Sequence, residues 1–311
     1  MKKLVLVAGG FGFAGRHTAF AFKRAGFEVA AIGHGDFGPG QCHQYGIDHW
    51  VSADITLDNL SAIKLVPSVI VNCSGSGSVG LSFKDPLADF NKTVNSTISL
   101  LEFIRQKAPL AKFIQLSSPA VCGDHEDALI KVTDPLNPIS PYGFHKKAAE
   151  DACLFYHRMG GLDIAIIRFF SLYGPGLKKQ LFWDAHGKIK LNPPVLEFFG
   201  TGEETRDWLY IDDAVDLILK VARFKSPMVQ IFNGASGQKR TIRETMGCFL
   251  DAAGSRADLK FNGEARPGDP RFYWADISGS LELGWSPSTT LKQGIQRYIS
   301  WASGIKTENS A

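Results

Sequence analysis

The chain has 311 residues, 44% of them hydrophobic and 21% charged, enough for one large domain or two small ones with a substantial core. Its net charge of +3 gives no argument for nucleic acid or a membrane surface, but allows an anionic substrate if the basic residues cluster. Five cysteines (Cys42, Cys73, Cys122, Cys153, Cys248) without a CxxC pair point to reduced thiols in a cytoplasmic protein, not to disulfides or a metal site.

In chain order, the run Leu4–Ala8 reads as a buried first strand. It is far short of the ~18 apolar residues of a membrane span and of the ~7–15 of a secretory core. The turn Gly9-Gly10-Phe11-Gly12-Phe13-Ala14-Gly15 follows. Gly9, Gly12 and Gly15 let the backbone turn tightly and let a dinucleotide's pyrophosphate approach main-chain N–H groups at a helix N-terminus. An amphipathic stretch, Arg16–Ala25, leads to a second strand, Glu28–Ile32. The acidic residue expected at the end of that strand, to bind both ribose hydroxyls of NAD, is replaced by Gly33. Asp36 comes three residues late. Loss of the carboxylate removes repulsion toward a 2′-phosphate, and His34 is placed to help bind one, which tilts toward NADP. The alternative is a flexible turn at 33–40 with His34 merely exposed.

Further strands are expected at Val69–Asn72, Lys112–Ser117 and Asp163–Phe169, with helices at Pro86–Lys107 and Pro141–Met159. Such alternation implies α/β architecture with a parallel sheet covered on both faces. After Phe170 the pattern loosens, and residues 171–206 are rich in Gly, Pro and Lys. A helix at Asp212–Phe224 and a strand at Val229–Asn233 bring the chain back to the sheet. Residues 236–311 read as a smaller mixed lobe with a frayed tail at Thr307–Ala311.

Ser140 suits an N-cap and Pro141 a first helical position, so Tyr142 and Lys146 share one helix face at i and i+4. A nearby ammonium and an oxidised nicotinamide favour the phenolate, which lets Tyr142 move a proton while hydride is exchanged. Ser117-Ser118-Pro119 ends a strand on the carboxyl side of the sheet, where ligands sit. A serine hydroxyl there is placed to orient a substrate oxygen beside Tyr142.

The sequence resembles the extended short-chain dehydrogenases, specifically the NAD-dependent epimerase/dehydratase family acting on nucleotide sugars, over about residues 3–300. The resemblance rests on an ordered set of motifs. These are the turn Gly9–Gly15, Ser52-Ala53-Asp54-Ile55, Ser117–Gly123, Tyr142–Lys146, Arg168–Gly176, Thr205–Asp213, Arg266-Pro267-Gly268-Asp269 and Leu283–Pro287. It implies a Rossmann doubly wound parallel sheet in residues 1–172 and about 207–235. It also implies a smaller C-terminal nucleotide-sugar lobe in about 173–206 and 236–311. Gly9, Gly12, Phe13, Gly15, His34, Asp54, Ile55, Cys73, Ser74, Gly75 and Phe169 would then meet the NAD or NADP cofactor, with Asp54 at the adenine. Ser118, Tyr142 and Lys146 would be catalytic, Phe170 and Ser171 would lie at the nicotinamide and sugar, and Arg206 and Arg266 would hold a nucleotide diphosphate. Helices at Leu87–Arg105 and Tyr142–His157 would pair into a four-helix homodimer interface.

The departures are informative. Dehydratases of the family carry an Asp-Glu pair after the catalytic hydroxyl, where this chain has Pro119-Ala120, which argues against dehydration and decarboxylation alike. Cys122 replaces a usual tyrosine, and Ser171 a usual asparagine. Three functions stay open. They are a C4 epimerase that recycles tightly bound NAD, an NADPH-consuming 4-ketoreductase, and a non-catalytic NAD(P)-sensing module. Substrate choice sits in about 176–200 and 236–275, where Phe182, Trp183 and His186 either line a sugar pocket or pack a lid on itself.

Overall fold

A computed structural model describes residues 3–38, 40–264 and 268–304. Two expectations, the diphosphate contact of Arg266 and the tail at Thr307–Ala311, lie outside the described residues. The central sheet has seven strands: β1 (Leu4–Ala8), β2 (Glu28–Gly33), β3 (His49–Ser52), β4 (Val69–Asn72), β5 (Lys112–Ser117), β6 (Ile164–Phe169) and β7 (Gln230–Gly234). All pairings are parallel, in the order β7-β6-β5-β4-β1-β2-β3. The order reverses between β1 and β4, and in such sheets ligands bind in the crevice at that reversal.

Period-two side-chain alternation divides the strands between two cores. Val5, Val7, Ile114 and Ile167 join Phe22 of helix α1 (Phe13–Arg24) on one face. Leu4, Leu6, Ile70 and Phe113 join Leu100, Leu101 and Ile104 of α2 (Ser96–Lys107) and Cys153 of α3 (Pro141–Gly160) on the other. Helix α4 (Ile211–Arg223) packs beside α1 and adds Leu217, Ile218 and Val221 to the first core.

The structure departs from the sequence expectations in two places. β3 was not anticipated, because it is a four-residue edge strand with no buried residue and therefore shows no apolar run. The single helix expected over Pro86–Lys107 is broken into Pro86–Phe90, a π-helical turn at Asn91–Asn95, and α2. Such π turns recur at functional sites.

Beyond β6 the chain forms three two-stranded pairs: Ser171–Tyr173 with Trp208–Tyr210, Thr205–Arg206 with Arg240–Thr241, and Val195–Phe198 with Asp258–Phe261. Phe182 stacks on Phe249 with ring centroids 5.4 Å apart and lies 4.6 Å from Trp208, inside the same core as the first sheet face. Phe182 is therefore packing and not pocket lining. Trp183 meets Trp301 at 6.0 Å.

Candidate active site

The glycine turn is shaped by contacts that a Cβ would destroy. Gly9 has φ +77°, and a Cβ there would stand 2.8 Å from the Ser74 backbone nitrogen. A Cβ on Gly15 would overlap the Gly9 carbonyl oxygen. Gly9 N–H donates to Ile32 O at 2.8 Å and Gly12 N–H to Gly9 O at 3.0 Å, tying the turn to the end of β2. Gly12 caps α1 without any side-chain bond and Phe13 begins the helix, so the first helical N–H groups face the crevice uncapped. This glycine-lined approach fits a dinucleotide pyrophosphate.

Cys73, Ser74 and Gly75 run from the end of β4 directly behind the turn. Ser74 Oγ donates to Asn72 Oδ1 at 2.5 Å and meets Ser96 Oγ at 3.1 Å. The Cys73 thiol, 3.7 Å from Thr18 Oγ1, is pushed up to about 12 by burial and stays neutral.

Gly33 ends β2, and a Cβ on it would press within 3.3 Å of Gly9 Cα. His34 Nε2 lies 2.6 Å from Asp54 Oδ1, both side chains being largely exposed. Ile55 is half-buried against the second core. Arg16 went unnoticed in the sequence. Its guanidinium carbon stands 4.1 Å from the Phe11 ring centroid, 4.9 Å from Tyr45 and 5.3 Å from Phe37. It makes no ion pair among the described residues, and its Nε is buried without a partner. The only available signal was its place directly after Gly15.

Ser118, Tyr142 and Lys146 converge at the carboxyl end of β5. Ser118 Oγ accepts from Ala120 N at 3.2 Å and so fixes the turn after the strand. Ser140 Oγ accepts from Gly143 N at 3.1 Å, with Pro141 at the first position of α3. Tyr142 N–H donates to Ser82 Oγ at 3.0 Å. Lys146 Nζ lies 6.0 Å from the Tyr142 ring centroid and donates to Leu116 O at 3.0 Å. Burial raises the Tyr142 phenol above its usual value, against a lowering by the Ser118 hydroxyl and with a further rise from the Asp89 charge. Burial also brings the Lys146 ammonium down to about 8, although Asp89 pulls it upward. Lys146 is not among the groups that acidify Tyr142 in the chain alone; its amine is turned to the β5 carbonyl.

Phe169 is buried, its ring against Gly234, and Phe170 lies 6.0 Å from Tyr273. Ser171 N–H donates to Asp207 O at 3.0 Å. Arg206 donates to its own neighbour, Thr205 O, at 2.8 Å and lies 5.6 Å over the Tyr273 ring, with no carboxylate partner among the described residues. Antiparallel pairing sets Arg240 directly opposite Arg206, a like-charge pair that an anion would relieve and that no sequence spacing announced.

A doubly wound sheet with a glycine turn at its strand-order reversal defines the class: a dinucleotide-binding α/β protein. The model of the NAD dependent epimerase/dehydratase family matches residues 5–233, and the chain belongs to that family. The UDP-glucuronate 4-epimerase of Thermodesulfobacterium geofontis is 27% identical over 262 residues, covering 80% of this chain and 78% of its own. The structure of UDP-glucuronic acid 4-epimerase from Bacillus cereus in complex with UDP-glucuronic acid and NAD is similar at a TM-score of 0.87. It is 26% identical and covers 97% of this chain and 100% of that one. UDP-N-acetylglucosamine 4-epimerase from Methanobrevibacter ruminantium, in complex with UDP-N-acetylmuramic acid, gives 0.87 at 25% identity over 98% and 99% of the two chains.

Proposed function

We propose that the chain is an NAD-dependent nucleotide-sugar epimerase that inverts C4 through a keto sugar, with Tyr142 as its acid and base. The observation that carries this reading is the convergence of Ser118, Tyr142, Lys146 and Gly75 at the carboxyl ends of β4 and β5. The dinucleotide held by the glycine turn would supply a hydride acceptor that becomes the donor on return. Tyr142 takes the sugar hydroxyl's proton and gives it back, Ser118 orients that oxygen and lowers the phenol, and the Lys146 ammonium, turned to Leu116 O in the chain alone, would favour the phenolate once the cofactor is bound. No net atom is gained or lost, so no second acid is needed, and Pro119-Ala120 offers none. Arg206, free of a carboxylate, is assigned to the substrate diphosphate, where a planar guanidinium binds bidentately.

Two observations pull on cofactor choice. Asp54 engages His34, and its carboxylate would repel a 2′-phosphate, which favours NAD. Arg16, over the Phe11 ring and without an ion pair among the described residues, favours NADP(H), and with it the ketoreductase as second reading. Residues 1–172 and about 207–235 are assigned to the dinucleotide and about 173–206 and 236–311 to the nucleotide sugar. Five free cysteines support a cytoplasmic setting, and α2 and α3 are assigned to a homodimer interface. Among the described residues no helix is long and apolar enough to cross a membrane.

The test is to denature the purified protein and identify the dinucleotide released. Near-stoichiometric NAD supports the epimerase; an empty protein that binds NADPH reversibly supports the reductase. Tyr142→Phe should abolish turnover and leave dinucleotide binding nearly intact. Survival of activity within about tenfold would overturn the proton-transfer role, since general acid–base groups contribute about 10²–10⁴-fold.

A further inference from the structure

A buried histidine–carboxylate hydrogen bond lies behind the Tyr142–Lys146 helix. Asp89 Oδ2 is 2.6 Å from His145 Nδ1, with the two side chains only 2% and 8% exposed. His145 directly precedes Lys146, and its ring stands edge-on to Phe90 at 5.4 Å and to Phe144 at 5.8 Å. The other oxygen, Asp89 Oδ1, is buried without a partner. So is Thr93 Oγ1, four residues on and inside the π turn. A Cβ built on Gly75 would stand 3.0 Å from Thr93 Oγ1 and 3.4 Å from Lys146 Nζ, so the hydroxyl and the ammonium bracket the same point. A buried carboxylate oxygen left unbonded is costly and calls for an electrostatic reason.

The charges facing Lys146 single out Asp89. From the segment after β4 comes Cys73, whose thiol is pushed up to about 12 and is neutral. From α3 come Tyr142, raised and neutral, and Glu150, whose two oxygens are both taken by Arg168 at 3.0 and 2.8 Å. Asp89, from the segment before the π turn, keeps one oxygen unengaged. A neutral imidazole can donate to Asp89 Oδ2 and leave its negative charge in place.

We propose that Asp89 is a positioning residue for the Tyr142–Lys146 pair: its buried charge keeps Lys146 an ammonium at working pH, and His145 holds that carboxylate in place. The proposal rests on the role given to Lys146 above, but its first test needs no turnover. In protein carrying isotope-labelled lysine, the Lys146 resonance is assigned by its loss in Lys146→Arg and followed through pH by NMR. In Asp89→Asn the midpoint should fall by about one unit or more, the size of shift a nearby opposite charge causes. The basic limb of turnover should fall with it. His145→Gln, which keeps a donor, should stay near wild type, whereas His145→Leu should shift toward Asp89→Asn. An unmoved Lys146 midpoint in folded Asp89→Asn overturns the proposal. If that variant does not fold, equal midpoints in His145→Gln and His145→Leu overturn it instead. A shifted midpoint in a protein that epimerises no nucleotide sugar supports this inference and sinks the epimerase reading.

Discussion

Lys146 sets the pH behaviour expected of the site. It is 5% exposed, and burial outweighs the upward pull of Asp89 to leave its amine near 8. Because the ammonium is the useful form, turnover should fall as pH rises through about 8. Arginine does not titrate in that range, so Lys146→Arg should lose this limb even with slower turnover. A limb that stays in place would belong to another group. Tyr142 responds oppositely, since burial raises the phenol and only Ser118 lowers it. Ser118→Ala should therefore move the acid limb of kcat upward as well as slow the reaction, and a slower enzyme with an unchanged profile would reduce Ser118 to a turn-former.

Between residues and fold stand the elements that hold the site, and two of them can be broken selectively. Gly15→Ala would drive a methyl group into the Gly9 carbonyl and open the β1–α1 turn. Dinucleotide affinity should collapse, as isothermal titration would measure, before the sheet is lost. The second is the tie between β6 and α3, where Arg168 donates to both oxygens of Glu150 and to Val132 O at 3.1 Å. Arg168→Met leaves a carboxylate buried alone and should cost about 3–5 kcal/mol in urea unfolding, against far less for a pair at the surface. These elements differ in how far the sequence announced them. The glycine turn, β1, β4, β5 and the capped start of α3 were legible because each is written in consecutive residues: a glycine spacing, an apolar run, a Ser-Pro cap. β3 was hidden by its exposed edge position, and the π turn by helical periodicity that continues on both sides of it. Asp89 and Arg240 were hidden because their meaning lies in partners distant along the chain: His145 is 56 residues from Asp89, and Arg240 meets Arg206 only through strand pairing.

At the scale of the whole molecule, the outer surface of the α2–α3 layer carries more apolar area than a solvated face needs. Phe144, Phe155 and Met159 are 58%, 54% and 52% exposed on α3, Ile98 is exposed on the adjacent α2, and Leu87 on the short helix before the π turn is 69% exposed. Along α3 these positions recur at helical spacing with Ala148 and Asp151 between them, so they form one face instead of scattered side chains. Contiguous exposed apolar patches of that kind mark contact surfaces, and a two-fold interface needs the same patch on both copies. Two copies laid α2–α3 against α2–α3 would bury it from both sides as a four-helix layer. Phe155→Glu puts a charge at the middle of that face without touching Tyr142 or the glycine turn. Sedimentation velocity should find the wild-type protein at twice the chain mass and the variant at the chain mass, with dinucleotide binding retained in both. Because the same helix carries Tyr142 in its first turn, the monomeric variant should also turn over more slowly, through a less firmly held α3. A wild-type protein that sediments at the chain mass would assign this face to a different partner and remove dimerisation from the account of how the site is held.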